Sequence, residues 1–250
     1  MGDLLDIRDL SLRFGGITAL QEVGVALAEG ETLAVIGPNG SGKTSLFNCI
    51  TGIYRPTAGS ITFRGESLLR LSPDAVTRRG IARTFQNLRL FHKMTVLDNL
   101  MVGRHLHFRK NFGVALLRLR GEEIRHRRRC EEIIDFLNLE AVRKARVADC
   151  PYGIQKRIEL GRALATEPRL LLLDEPVSGL TQEEKEEFAY WIHEIRGRFA
   201  ITILLVEHDL RVASRLASRM VALDHGVKIA EGAPGEVQRH PDVIMAYLGE

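Results

Sequence analysis

Cysteine is scarce in this chain of 250 residues: there are three, an odd number. Cys49, Cys130 and Cys150 show no metal-ligand spacing, which speaks against a disulfide-stapled scaffold and a cysteine-held zinc site and leaves reduced thiols of a cytosolic protein as the expectation. Aromatic residues make up 6% of the chain and the formal net charge is only +3. Neither a strong basic field nor a stacking platform is available, so no nucleic acid partner is expected. No apolar run approaches the ~20 residues that span a bilayer, and no signal pattern precedes the first polar residues. If the protein works at a membrane, its membrane part belongs to a partner. Internal repeats and low-complexity linkers are absent too. What remains is ordinary for a soluble globular protein: 45% hydrophobic and 27% charged residues, at a length that fits one core, with room for a subdomain.

Against that plain background one stretch stands out, Ile36-Gly37-Pro38-Asn39-Gly40-Ser41-Gly42-Lys43-Thr44, followed by Ser45. It follows an apolar run, Thr32 to Ile36, and precedes a helical run expected over Ser45 to Thr51. Glycines let the backbone fold into a nest whose N–H groups point at phosphate oxygens. The helix that follows aims its positive end at the same anion. Lys43 can reach the β- and γ-phosphates, and the Thr44 hydroxyl suits a Mg²⁺ ligand. The stretch predicts binding of a nucleoside triphosphate.

A second signal is Leu170-Leu171-Leu172-Leu173-Asp174-Glu175, an all-apolar strand ending in two carboxylates. Asp174 suits a Mg²⁺ site, and Glu175 can orient or deprotonate an attacking water. On its own the pair is as well explained by an acidic turn after a buried strand; a phosphate loop upstream removes most of that reading's weight. His208 follows another apolar strand and could touch the γ-phosphate and Glu175, although a lone histidine there is usually structural. Gln86 ends the strand expected over Ile81 to Phe85, where it could sense Mg²⁺ and the water.

Along the chain, Leu4 to Leu27 shows short β-like runs, and Ser60 to Phe63 reads as a strand. Pro73 to Arg79 reads as a helix. From about Thr95, a plausible N-cap, to Thr166 the signals are helical. Strands return at Leu170 to Leu173, Ile201 to Val206 and Met220 to Leu223, the last pairing with Val227 to Ala230 across His225-Gly226. Between the first two of these, Phe188, Trp191, Ile192, Ile195 and Phe199 share one helix face. The order predicts an α/β fold: a P-loop NTPase core with a mainly parallel sheet, an antiparallel β layer at the N-terminus and an inserted α-helical subdomain. Residues 1–90 and 167–250 are expected to form the core and about 91–166 the insert.

Together these residues resemble the ATP-binding subunit of an ABC transporter over essentially the whole chain. The resemblance makes Gly37 to Thr44 the Walker A loop, Gln86 the Q-loop, Leu170 to Glu175 Walker B, Ser178 to Thr181 the D-loop and His208 the H-loop. It places Phe14 where an aromatic stacks on adenine. The family's signature, Leu-Ser-Gly-Gly-Gln, is replaced by Pro151-Tyr152-Gly153-Ile154-Gln155, where Tyr152, Gly153 and Gln155 would contact the nucleotide of a second subunit ahead of a helix over Ile154 to Thr166. The resemblance implies ATP and Mg²⁺ as cofactors, and a homodimer, or a heterodimer with a related subunit. Its partners would be transmembrane permease subunits and, indirectly, an extracytoplasmic substrate-binding protein, with the chain lying peripherally on the cytoplasmic face of the membrane. The tyrosine before Gly153, the run Arg83 to Phe91, the insert Gly103 to Arg129 and the ending His240 to Gly249 resemble the branched-chain amino acid importer branch. ATPases that serve lipid or lipopolysaccharide exporters, and soluble ABC ATPases acting on nucleic acid, are the alternatives. Arg125, Arg127, Arg128 and Arg129, with His126 among them, read as a solvated helix face, with anionic headgroups as the functional alternative.

Overall fold

Neighbouring residues of each central strand belong to different cores, the imprint of a two-residue period on strands buried on both faces. Leu33, Val35, Leu170, Leu172, Leu204 and Val206 pack on one side of the sheet, and Ala34, Ile36, Leu171, Leu173, Ile203 and Leu205 on the other. The computed structural model describes residues 3–108 and 115–248, the backbone alone over 115–120. Part of the insert expected over Gly103 to Arg129, and Gly249, lie outside the described residues.

The chain opens with a hairpin of two long strands, β1 (Asp3–Phe14) and β2 (Ile17–Ala28), and continues through β3 (Thr32–Ile36), α1 (Lys43–Ile50), β4 (Ala58–Phe63), β5 (Glu66–Ser67), α2 (Pro73–Arg78) and β6 (Ile81–Arg83). Three helices follow: α3 (Val96–Gly103), α4 (Ala115–Phe136) and α5 (Tyr152–Leu164). The chain then returns to the sheet with β7 (Leu170–Asp174), α6 (Gln182–Phe199), β8 (Thr202–Glu207), α7 (Leu210–Leu216), β9 (Arg219–Asp224) and β10 (Val227–Gly232), and closes with α8 (Pro234–Val237) and α9 (Pro241–Leu248). One sheet has the order β2-β1-β4-β5 and is antiparallel; the other has the order β10-β9-β3-β8-β7-β6. In the second, only β10 runs antiparallel. The α/β expectation holds.

Between the two sheets lies a core that includes Leu5, Leu10, Leu20, Phe47 and Ile61. On the other face, Leu100, Ile133, Leu137 and Leu160 of the inserted helices join Leu171 and Ile203 in one continuous cluster. The insert is therefore packed on the sheet rather than around a core of its own. Thr95 caps α3 as expected, its Oγ1 accepting from the Asp98 N–H at 3.1 Å. The β9–β10 turn puts His225 and Gly226 both at positive φ, 43° and 81°, as a tight hairpin of matching twist requires.

Some boundaries differ from expectation. The N-terminal runs fuse into strands of 12 residues each, because cross-strand pairing continues through their polar positions. Helix α1 starts at Lys43, so the lysine and Thr44 lie in its first turn. Strand β6 stops at Arg83 rather than Phe85: the Thr84 N–H still bonds Leu172 O, and there the ladder ends. His126, expected on a solvated face, is buried instead, with the Arg104 guanidinium donating to its Nδ1 at 3.2 Å.

Candidate nucleotide site

The loops after β3, β6, β7 and β8 all leave the sheet at its carboxyl edge, where crevice sites of such sheets form. They bring residues 39–45, Gln86, Glu175 and His208 into one neighbourhood. A cleft of about 290 Å³ is lined by Asn39 to Ser45 with Thr18, Ala19, Gln86 and Glu175. Phe14 does not line it; its ring stands edge-on to Tyr54 at 5.0 Å, and Ile17, 71% exposed, lies at the cleft.

The loop itself is built as its glycines demand. Gly37, Gly40 and Gly42 all have positive φ, and a side chain at Gly37 would run into Leu223 O and Ser41. Gly42 serves as N-cap of α1, so the first free N–H groups of that helix face the loop. Lys43, 5% exposed, donates from Nζ to Gly37 O at 2.6 Å and Pro38 O at 2.7 Å. Its ammonium thus folds over the nest that its neighbours form.

Opposite the loop, Glu175 sits in the left-handed region at φ 46°, held by its N–H to Val206 O at 3.0 Å. A carboxylate residue in that conformation is strained, and strain of this kind collects where a side chain must be aimed. Gln86 Nε2 donates to Glu175 Oε2 at 2.9 Å, and His208 Nδ1 stands 3.7 Å from Oε1 of the same carboxylate. Two residues from two other loops thereby converge on the Glu175 carboxylate. Asp174 is 4% exposed and paired through Oδ2 with Arg83 Nη2 at 2.6 Å. Arg83 also donates to Asn48 Oδ1 on α1 at 2.7 Å and lies between the rings of Phe47 and Phe85, at 5.3 and 5.0 Å from their centroids.

Helix α5 stands beside this cluster, and its start revises the expected register. It begins at Tyr152, with Pro151 as its N-cap. A serine that caps a helix through its hydroxyl belongs at the cap itself, which is Pro151 here rather than Tyr152. Gly153 packs so closely on Glu184 that a methyl group would collide with that carboxylate, and Tyr152 Oη reaches Ser178 O at 3.4 Å beside Gly179. Gln155 Nε2 donates inward to Cys150 O at 2.8 Å. Tyr152, Gly153 and Gln155 do not line the cleft that holds the phosphate loop.

Several residues of the neighbourhood carry no local signature in the sequence. Glu159 on α5, 2% exposed, accepts from the N–H groups of Phe85 and Arg89, both at 3.4 Å, and the Arg162 guanidinium donates to Arg89 O. The segment carrying Gln86 is thereby fastened to α5. Lys156 is buried at 3% exposure, and burial depresses its pKa against the pull of Glu159, Glu207, Glu175 and Asp174. Burial pushes the Cys49 and Cys130 thiols up to about 11, which marks them as inert packing groups. A separate polar cleft in the insert, lined by Arg104, Arg129, Glu132 and Glu167 among others, is already ion-paired internally.

Residues 20–178 match the family described as ABC transporter, and residues 227–250 match the family described as branched-chain amino acid ATP-binding cassette transporter. The high-affinity branched-chain amino acid transport ATP-binding protein BraF of Pseudomonas aeruginosa is 38% identical over 99% of this chain and 98% of its own length. Its counterpart LivG of Escherichia coli K12 is 38% identical with the same coverage. Among solved structures, the ADP conformation of MJ1267, an ATP-binding cassette of an ABC transporter, superposes with a TM-score of 0.87 at 27% identity over the whole of both chains.

Proposed function

The chain belongs to the ABC transporter family of ATP-binding subunits, and from that premise we propose that it is the ATP-hydrolysing motor of an importer for branched-chain or similar hydrophobic amino acids. The family makes it an ATPase. The importer branch rests on the match of residues 227–250 and on relatives that resemble the chain from end to end.

The observation that carries the catalytic reading is the convergence of Gln86 and His208 on the Glu175 carboxylate at the rim of the phosphate loop. Residues 37–45 bind the phosphates through backbone N–H groups and the Lys43 ammonium, and Phe14 offers its exposed ring to the adenine. Glu175 accepts the proton of the attacking water. Gln86 positions that water, and His208 holds the γ-phosphate against it. Thr44, Gln86 and Asp174 would offer hard oxygen donors to a cation, Asp174 through the carboxylate oxygen that is not paired with Arg83. This donor set fits Mg²⁺, which prefers few protein ligands and several waters, and which supplies charge neutralisation to the phosphates when bound. Tyr152, Gly153 and Gln155, at the start of α5, complete the site of a second copy or a related subunit in a head-to-tail dimer. Residues 91–166 form the helical unit that passes dimer closure to transmembrane subunits at the cytoplasmic face. Among the described residues no helix is long and apolar enough to cross a membrane.

Glu175→Gln keeps the hydrogen bond to Gln86 within reach and removes the base. Turnover of the complex with its membrane subunits is expected to fall about 100-fold or more while ATP still binds. Wild-type hydrolysis in that variant would falsify the role given to Glu175. The importer branch is tested separately, by reconstituting the transporter in vesicles and following ATP-dependent uptake of leucine, isoleucine and valine. Uptake of none of them removes the branched-chain assignment.

A further inference from the structure

Gly37 opens the phosphate loop, and the two peptide units that meet at its Cα are each held, one through the N–H and the other through the carbonyl. Its carbonyl accepts from Lys43 Nζ at 2.6 Å, and its buried N–H donates to the hydroxyl of Tyr247 at 2.9 Å, from 210 residues further along the chain. Tyr247 lies on α9, and α9 is fixed by Val243, which is fully buried in the core shared with the insert. A second hold on the same loop comes from the β9–β10 turn, where the Gly226 N–H donates to Ser41 O at 3.0 Å. The loop is thus gripped from behind by two elements of the last quarter of the chain, both away from the side on which phosphates are expected. The two grips differ in kind. Gly226 binds through its backbone, so no side chain there can be altered to release it, whereas Tyr247 binds through a single hydroxyl.

We propose that Tyr247 is a positioning residue of the nucleotide site, its hydroxyl setting the tilt of the Gly37 peptide and with it the aim of the N–H groups that receive the phosphates of ATP or ADP. A buried N–H left without a partner is costly, so a loop deprived of this hydroxyl turns to find another. It then leaves the arrangement in which its later N–H groups converge. The proposal rests on residues 37–45 being the phosphate cradle. It adds that α9 belongs functionally to that cradle although it lies outside the cleft.

Tyr247→Phe in the full chain removes the hydroxyl and keeps the ring in its packing; Tyr247→Ala removes both. ATP, ADP and inorganic pyrophosphate are titrated against each by calorimetry, melting temperature is recorded without ligand, and KM and kcat are measured in the complex with the membrane subunits. The phenylalanine variant is expected to bind all three ligands about fivefold more weakly or worse, by a common factor, because all three occupy the cradle. KM should rise with it while kcat at saturating ATP stays near wild type, and the melting temperature should fall less than in Tyr247→Ala. The alanine variant should show the same affinity loss plus a lower melting temperature. Unchanged affinity in Tyr247→Phe, with loss only in Tyr247→Ala, makes the tyrosine a packing residue and overturns the inference alone. Loss for ATP with ADP and pyrophosphate untouched overturns it too, since the cradle is then intact. No binding of any of the three by the wild type overturns the cradle reading and the inference with it.

Discussion

Glu207 ends β8 with 1% of its surface exposed, and its Oε1 has no hydrogen-bond partner among the described residues. Burial, with the nearby Glu175 charge adding to it, pushes its pKa up to about 7, against the weaker opposing pull of the backbone N–H groups of Val177 and His208. Because this folded-state pKa lies above the ordinary carboxyl value, the folded chain holds a proton there that the unfolded chain gives up. The stability tied to that proton is complete below about pH 4.5, shrinks as pH rises, and is gone above about pH 7. Glu207→Gln mimics the protonated form at every pH. It should match wild type in melting temperature near pH 4.5 and exceed it at pH 8, by a margin on the order of 2–3 kcal/mol in unfolding free energy. Parallel pH profiles for the two proteins would remove the buried-acid reading. The same group lies close enough to Glu175 that its charge state is felt at the site.

Helices α5 and α6 meet at a point that neither shows by itself. Thr181 and Glu184 form a reciprocal capping box at the start of α6, Glu184 Oε2 accepting from the Thr181 N–H at 2.9 Å. Glu184 also lies against Gly153. A methyl group at Gly153 must push aside the end of that flexible carboxylate, so Gly153→Ala should cost about 1 kcal/mol through the lost cap rather than through backbone strain. Glu184→Ala removes the same cap, and the double variant should therefore be no less stable than Glu184→Ala alone. Additive losses in urea unfolding would show that Gly153 acts independently of the box. Such contacts mark the limit of what residue order conveys. Residues 37–45, Asp174, Glu175, Gln86 and His208 were legible because each follows an apolar strand and the strands share an edge. Arg83, Lys156, Glu159 and Tyr247 were not: Arg83 has partners 35 and 91 residues away, Glu159 has them 70 and 74 away and Tyr247 has one 210 away, while the burial of Lys156 depends on how α5 docks. The start of α5 was placed two residues late because the signature residues were read as lying ahead of the helix, whereas in the fold Gly153 is inside its first turn and lets α5 approach α6. The N-terminal strands were read short because their polar positions interrupt the apolar runs while the pairing itself continues.

At the scale of the molecule, the start of α5 does not line the cleft of the phosphate loop, and on the proposed reading a single chain holds two unlike halves of a site. Hydrolysis by the isolated subunit is expected to be second order: turnover per chain should rise with protein concentration, while nucleotide affinity measured at low concentration stays constant. Turnover per chain that is flat across a hundredfold dilution would place the whole active site in one copy. One feature of the sheet also governs when that half-site comes into being. Strand β3, which feeds the phosphate loop, is flanked by β8 and β9, with Thr32 beside Ile203 and Leu33 beside Arg219. Neither neighbour exists while a ribosome is still making the insert, and contacts of such sequence separation form late. The cradle cannot take shape until its flanking strands have left the exit tunnel, so a chain arrested within the insert has no means of sequestering ATP.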